Sequence, residues 1–203
     1  MPKLESTRET RNRIRAARRA ASQEERAIWS HRICACVAAL GSFQAANTVA
    51  GFLAFDGEAD PAELMVQAID QGKQVYVPTI IDKGEPLMFV PWSENCELEE
   101  NRYGIFEPVV PQSEWIEAGQ LDFVITPLVA FDESCNRIGV GGGFYDRSFS
   151  FLNDSKNNSE ESNVQLVGFA FELQKVKSIK TNDWDIPLSA VATEVCLRQR
   201  VPE

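Results

Sequence analysis

Residues 126–147, TPLVAFDESCNRIGVGGGFYDR, concentrate the groups best suited to chemistry. Four glycines, Gly139, Gly141, Gly142 and Gly143, fall within five positions, with Arg137 just before them and Phe144-Tyr145-Asp146-Arg147 just after. A backbone without side chains lets N–H groups approach phosphate oxygens closely, including from left-handed conformations. A helix beginning at Phe144 adds the positive end of its dipole. Arg137 and Arg147 offer charge-assisted hydrogen bonds, Asp146 suits a hard divalent cation such as Mg²⁺, and Tyr145 brings a ring and a hydroxyl. The spacing is neither G-x-x-x-x-G-K-[ST] nor a clean G-x-G-x-x-G. On the glycines alone, a tight turn between strand and helix competes with a phosphate cradle.

The elements that must hold this loop follow from patterning. Residues 8–20 read as a basic helix. Ser22-Gln23-Glu24-Glu25 is a capping box opening a second helix to about Leu40, with Gly41 as its stop. The apolar run 48–55 (TVAGFLAF) predicts a buried strand. Asp60 as cap and Pro61 in the first turn start a helix that Gly72 ends, and 73–78 is the next strand. That strand–helix–strand unit predicts a parallel crossover. Residues 86–91 read as a short edge strand, 93–120 as loops with a short helix, and 121–127 as a strand. A helix over 144–152, a buried strand over 164–171 and a short strand over 190–195 follow. The polar stretch 153–163 reads as a flexible surface loop. The expectation is a single α/β domain over residues 1–203, three-layer α/β/α with a mostly parallel sheet and a phosphate loop at 137–147.

Composition narrows the function. The chain has 203 residues, 44% hydrophobic and 25% charged, with net charge −10. Such an acidic surface disfavours nucleic acid. Residues 1–26 nevertheless hold eight basic and four acidic side chains, which suits a small polyanion. No run of 18 apolar residues predicts a membrane span, and the basic N-terminus lacks the apolar core of a secretory signal, so the expected location is cytoplasmic. The five cysteines, scattered and odd in number, read as reduced thiols. Cys34-Ala35-Cys36 and the single histidine, His31, read as ordinary helix residues rather than metal ligands.

The segment Pro127, Ala130-Phe131-Asp132, Arg137, Gly139, Gly141, Gly143, Phe144-Tyr145-Asp146-Arg147 resembles the signature of the 5-formyltetrahydrofolate cyclo-ligase family. Other stretches agree in order: Phe52-Leu53-Ala54-Phe55-Asp56-Gly57-Glu58, Tyr103-Gly104-Ile105-Phe106-Glu107-Pro108, Gly168-Phe169-Ala170-Phe171 with Gln174, Trp184-Asp185-Ile186-Pro187-Leu188 and Thr193-Glu194. Thr7 departs from the pattern, standing where the family has a basic residue, with Arg8 beside it. The resemblance implies a scaffold shared with sugar-phosphate isomerases and CoA-transferases. It implies an ATP- and Mg²⁺-dependent ligase that cyclises 5-formyltetrahydrofolate to 5,10-methenyltetrahydrofolate, releasing ADP and phosphate. Its partners are small molecules, with neither nucleic acid nor membrane, and the protein is a monomer or weak homodimer.

Carried over residue by residue, Arg137, Tyr145 and Asp146 are catalytic. Arg11, Arg15, Arg137, Ile138, Gly139, Val140, Gly141, Gly142, Gly143, Phe144, Tyr145 and Arg147 hold ATP. Phe52, Glu58, Tyr103, Phe144 and Tyr145 contact the folate, and Asp146 with Asp185 holds the metal. Each has a plainer reading: a solvated helix face for Arg11 and Arg15, a loop acid for Glu58, core packing for Phe52, an edge aromatic for Tyr103, a turn for Asp185. Asp132 shapes the approach to the glycines. Another enzyme on the same scaffold and a non-catalytic nucleotide or folate binder remain alternatives.

Overall fold

The computed structural model describes residues 5–102, 104–154 and 163–201. Tyr103 and most of the 153–163 stretch lie outside these. In chain order the elements are α1 (Thr7–Ala20), α2 (Gln23–Ala38), α3 (Gly41–Ala45), β1 (Thr48–Ala50), α4 (Ala62–Asp70), β2 (Gln74–Thr79), β3 (Met88–Pro91), β4 (Leu98–Glu100), β5 (Phe106–Pro108), β6 (Phe123–Pro127), β7 (Ala130–Phe131), β8 (Arg137–Ile138), α5 (Phe144–Ser148), α6 (Phe151–Asp154), β9 (Gln165–Phe169), β10 (Ala190–Ala192) and β11 (Leu197–Gln199).

Seven strands form one sheet in the order β11-β10-β9-β6-β1-β2-β3. The pairs from β10 to β2 are parallel, and the edge strands β3 and β11 pair antiparallel. Side-chain alternation splits the core in two. Val49, Val75, Val77, Phe123, Ile125, Val167 and Phe169 face α2, α3 and α4. Ala50, Tyr76, Val124, Leu166 and Val191 face the other way, onto Phe149 and the aromatic side chains of α5 and α6. Helices therefore cover both faces of a mostly parallel sheet, as its apolar strands require.

The differences from the sequence reading have local causes. Gly41 does not stop α2: that helix ends at Ala38, and Gly41 opens α3, whose Phe43 is buried edge-on against Phe123 at 5.4 Å. The strand expected over 48–55 pairs only at 48–50. Its last sheet bond is Gly51 N–H to the Tyr76 carbonyl at 2.8 Å, beyond which the chain leaves the ladder. The helix expected over 144–152 is two short helices, because Phe149 leaves helical geometry (φ −111°, ψ 17°) with its ring buried against Phe89, Tyr145 and Phe151. The β4–β5 and β7–β8 hairpins and β11 have two or three residues per strand, too few to show a period of two.

The sheet leaves no room at Gly168, the fourth of the five residues of β9. A Cβ there would lie 2.7 Å from Leu188 Cδ1 and 2.8 Å from Leu128 Cδ2, both buried. Gly168→Ala should therefore destabilise the fold by about 1–3 kcal/mol in urea denaturation, as overpacking does.

Candidate active site

The site lies beyond the carboxyl ends of β1, β2 and β6. The connections diverge there, since β1 leads to β2 on one side and pairs with β6 on the other. A cavity of about 460 Å³ opens at that point.

Glu58 is placed by a tight turn. Asp56 (φ 52°) and Gly57 (φ 72°) are both left-handed, the pattern of a type I′ turn, in which Asp and Gly are the residues that tolerate positive φ. Glu58 N–H closes the turn on the Phe55 carbonyl at 3.1 Å, and Glu58 Oε2 accepts the Phe55 N–H at 3.3 Å. Helix α1 stitches the turn down. Arg18 Nη2 donates to the Asp56 carbonyl at 3.2 Å, Arg18 Nη1 lies 3.5 Å from Glu58 Oε1, and Arg19 Nε donates to Asp56 Oδ1 at 2.6 Å. The Arg18 side chain is 1% exposed and that of Glu58 14%. Burial raises the Glu58 carboxyl above its ordinary 4.5, with Arg18 opposing, and burial also lowers the Arg18 guanidinium. Desolvation thus outweighs attraction on both partners.

The glycine loop joins β8 to α5. Arg11 Nε donates to the Gly139 carbonyl at 2.8 Å, and its guanidinium lies over Gly141, where an added Cβ would sit 3.5 Å from Arg11 Cζ. Gly143 caps α5 at φ 65°, a conformation only a glycine takes cheaply. Arg147 turns back onto the loop: Nη1 donates to the Gly142 carbonyl at 2.8 Å and its guanidinium covers the Phe144 ring at 5.1 Å. With five residues, α5 adds little dipole to the loop.

Arg137 closes the base. Its Nη2 donates to Asp146 Oδ1 at 2.6 Å and its Nη1 to the Ile186 carbonyl, while Ile186 N–H returns to Asp146 Oδ1 at 3.2 Å. Asp146 Oδ2 has no protein partner among the described residues. Asp185 Oδ2 accepts from Asn182 N–H at 2.8 Å. The Tyr145 ring stacks on Phe149 at 6.1 Å, and its buried hydroxyl has no partner among the described residues. Burial, then the charge of Glu58, pushes the phenol well above its ordinary 10. It stays protonated at neutral pH, with a hydrogen to donate.

The cavity wall gathers Arg11, Phe52, Glu58, Arg137, the loop from Ile138 to Gly143, Phe144, Tyr145, Asp146 and Asp185. Arg15 and Arg147 stand outside it, each with a buried nitrogen that has no partner among the described residues. Phe52 serves both readings, lining the cavity while packing edge-on against Phe169 at 6.4 Å. Thr7 is on the wall, as are Ile105 and Glu107, close in sequence to Tyr103. His31 pairs with Glu63 on the surface at 2.8 Å, and the Cys34 thiol, buried in α2, is pushed up to about 12. Among the described residues no group of three or more His, Cys, Asp or Glu converges on a metal position.

Sequence reasoning missed Arg18, Lys180 and the exposed rim of Phe55 (73%) and Trp184 (68%). For Arg18 a signal existed: it repeats from Arg11 and Ile14 at helical spacing, on the face that α1 buries.

Removing one partner of a buried pair strands the other. Arg18→Met should cost about 3–5 kcal/mol in urea denaturation, and adding Glu58→Leu should recover much of it. Without Arg18 the folded-state pKa of Glu58 rises further above 4.5. The stability Glu58 contributes is then full below 4.5 and is lost as pH climbs through the raised folded value, so the deficit should be larger at alkaline than at acidic pH.

Against this geometry, comparisons with known proteins agree. The model of the "5-formyltetrahydrofolate cyclo-ligase family" matches residues 3–194. The chain is 38% identical to the 5-formyltetrahydrofolate cyclo-ligase of Escherichia coli over 182 residues, 89% of this chain and 96% of that one. It is 34% identical to the Haemophilus influenzae enzyme of the same name over 70% of this chain and 73% of that one. The NMR structure of Aquifex aeolicus 5,10-methenyltetrahydrofolate synthetase superposes with a TM-score of 0.76 at 27% identity, covering 97% of this chain and 96% of that one. Matched over nearly all its length, the chain belongs to the 5-formyltetrahydrofolate cyclo-ligase family, a family of ligases in folate metabolism.

Proposed function

We propose that this cavity binds 5-formyltetrahydrofolate and ATP together and cyclises the folate to 5,10-methenyltetrahydrofolate, releasing ADP and phosphate. The observation carrying this reading is that Glu58, Tyr145 and the glycine loop share one cavity wall. The formyl oxygen attacks the γ-phosphorus and ADP leaves. N10 then attacks the activated carbon and loses its proton, and the C–O bond breaks to free phosphate. Such chemistry asks the protein for positioning and charge neutralisation rather than a nucleophile.

The chain's groups divide accordingly. Glu58 accepts hydrogen bonds from the pterin, and Phe52, Phe144 and the exposed rings at the mouth give flat apolar walls for an aromatic ligand. Backbone N–H groups of the loop and Arg11 take phosphate oxygens. Tyr145 donates to the substrate. A magnesium ion commonly uses one or two carboxylates, with phosphates and waters filling its octahedron. The open Oδ2 of Asp146, with Asp185 on the same wall, fits that demand. When bound, the ion supplies charge neutralisation at the γ-phosphate.

All five cysteines are free thiols, in keeping with a cytoplasmic location. No described helix is long and apolar enough to cross a membrane.

The test is to add 5-formyltetrahydrofolate and MgATP and follow the absorbance of the methenyl product. Turnover should require ATP. Asp146→Asn should lower Mg²⁺-dependent turnover about 100-fold while folate binding changes little. Tyr145→Phe should lower kcat/KM about 10-fold, the worth of one hydrogen bond. Tight binding of both ligands with no product would replace the enzyme with a non-catalytic binder.

A further inference from the structure

We infer that Lys180 is a further nucleotide-binding residue, whose ammonium takes a phosphate oxygen of ATP at the wall carrying the glycine loop. The inference rests on the proposed binding of ATP in this cavity.

The segment bearing Lys180 is built into the same substructure as the loop. Val176 N–H donates to the Phe131 carbonyl at 2.8 Å, and Val176 and Ile179 pack against Ile14, Val129, Ala130 and Ile138. Ile179 N–H donates to Asp132 Oδ2 at 2.9 Å. Asp132, 4% exposed, also accepts the N–H groups of Ser134 (3.1 Å) and Asn136 (3.0 Å) and the Asn136 Nδ2 (3.1 Å). One buried carboxylate thus welds the β7–β8 turn, whose second strand leads into the glycines, to the residue preceding Lys180. A lysine on a solvated face needs no such anchorage, whereas one that must meet a ligand at a set place does.

The pairing of charges in the wall singles out two cations. Glu58 is held by Arg18 and the Phe55 N–H, Asp146 by Arg137, Asp185 by Asn182, and Glu107 by the Ile80 N–H at 2.9 Å. Of the three wall cations, Arg137 is engaged by Asp146, whereas neither Arg11 nor Lys180 faces a protein carboxylate in an ion pair among the described residues. Asp185 and Glu107 keep their charge, since amide donors hold them without neutralising it, and Arg11 and Lys180 are the wall cations left to meet a phosphate oxygen. A neutral pterin has no need of them.

The decisive comparison is of wild type, Lys180→Ala and Lys180→Arg, measuring KM for MgATP and for mono- and polyglutamylated 5-formyltetrahydrofolate, with the Kd for ATP by calorimetry. Lys180→Ala should raise both nucleotide constants about 10-fold, with added salt narrowing the gap, and leave the folate constants within about 2-fold. Lys180→Arg should restore most of the loss. Unchanged nucleotide constants overturn the inference. So does a shift confined to the folate, largest for polyglutamates, which would assign Lys180 to the glutamate tail. A wild-type protein without ATP-dependent product defeats the proposed function instead, and Lys180 is then judged by the ATP Kd alone.

Discussion

A guanidinium removed from water must find oxygens to replace its hydration, and where Arg18 finds them governs how this site is assembled. They lie in the turn after β1, on the Asp56 carbonyl and the Glu58 carboxylate. Arg11, Ile14 and Arg18 form one stripe of α1 spanning about 10 Å, and each meets a different part of the site. Arg11 holds the Gly139 carbonyl, Ile14 packs on β7 and β8, and Arg18 holds Glu58. The N-terminal helix, remote in sequence from the glycines, is therefore their structural partner. Its capping box, Ser6 with Glu9, secures the end nearest Arg11.

The opposite side of the cavity depends on charge closure of a second kind. Asp146 takes both the Arg137 guanidinium and the Ile186 N–H, so β8, α5 and the segment before β10 meet at one carboxylate oxygen. Asp132 does the same for the β7–β8 turn and residue 179 using amide donors alone. Loops at the end of a parallel sheet carry unpaired backbone groups, and these two aspartates satisfy several of them while fixing the functional segments in place.

Electrostatics inside the cavity runs against the chain as a whole. The protein carries a net −10, yet Arg11, Arg137 and Lys180 share one wall. Glu58 and Asp146 are engaged by Arg18 and Arg137, which leaves Arg11 and Lys180 as the wall cations without a carboxylate partner among the described residues. The uneven distribution visible in residues 1–26 has this outcome for Arg11, while Arg13 and Arg19 are engaged at the surface by Glu5 and Asp56.

The glycine loop, the candidate acids and the parallel α/β class are legible in sequence because each is a local pattern: glycines in a row, acids beside turns, apolar runs separated by helix caps. The stop of α2 before Gly41, the break in the helix over 144–152 and the short strand at 48–50 are not legible there, because burial of Phe43 and Phe149 and the end of the β1 ladder decide them. Among the arginines, type and spacing were visible but role was not. Arg11 reaches the cavity, Arg18 vanishes beneath it, and Arg15 and Arg147 stay behind its wall. By itself the sequence determined which chemistry the chain carries, since glycine, carboxylate and guanidinium have their properties wherever they stand. Only the tertiary structure decided which copies share a cavity. That depends on contacts between residues such as Arg18 and Glu58, 40 positions apart, or Arg11 and Gly139, 128 apart, which no local pattern encodes.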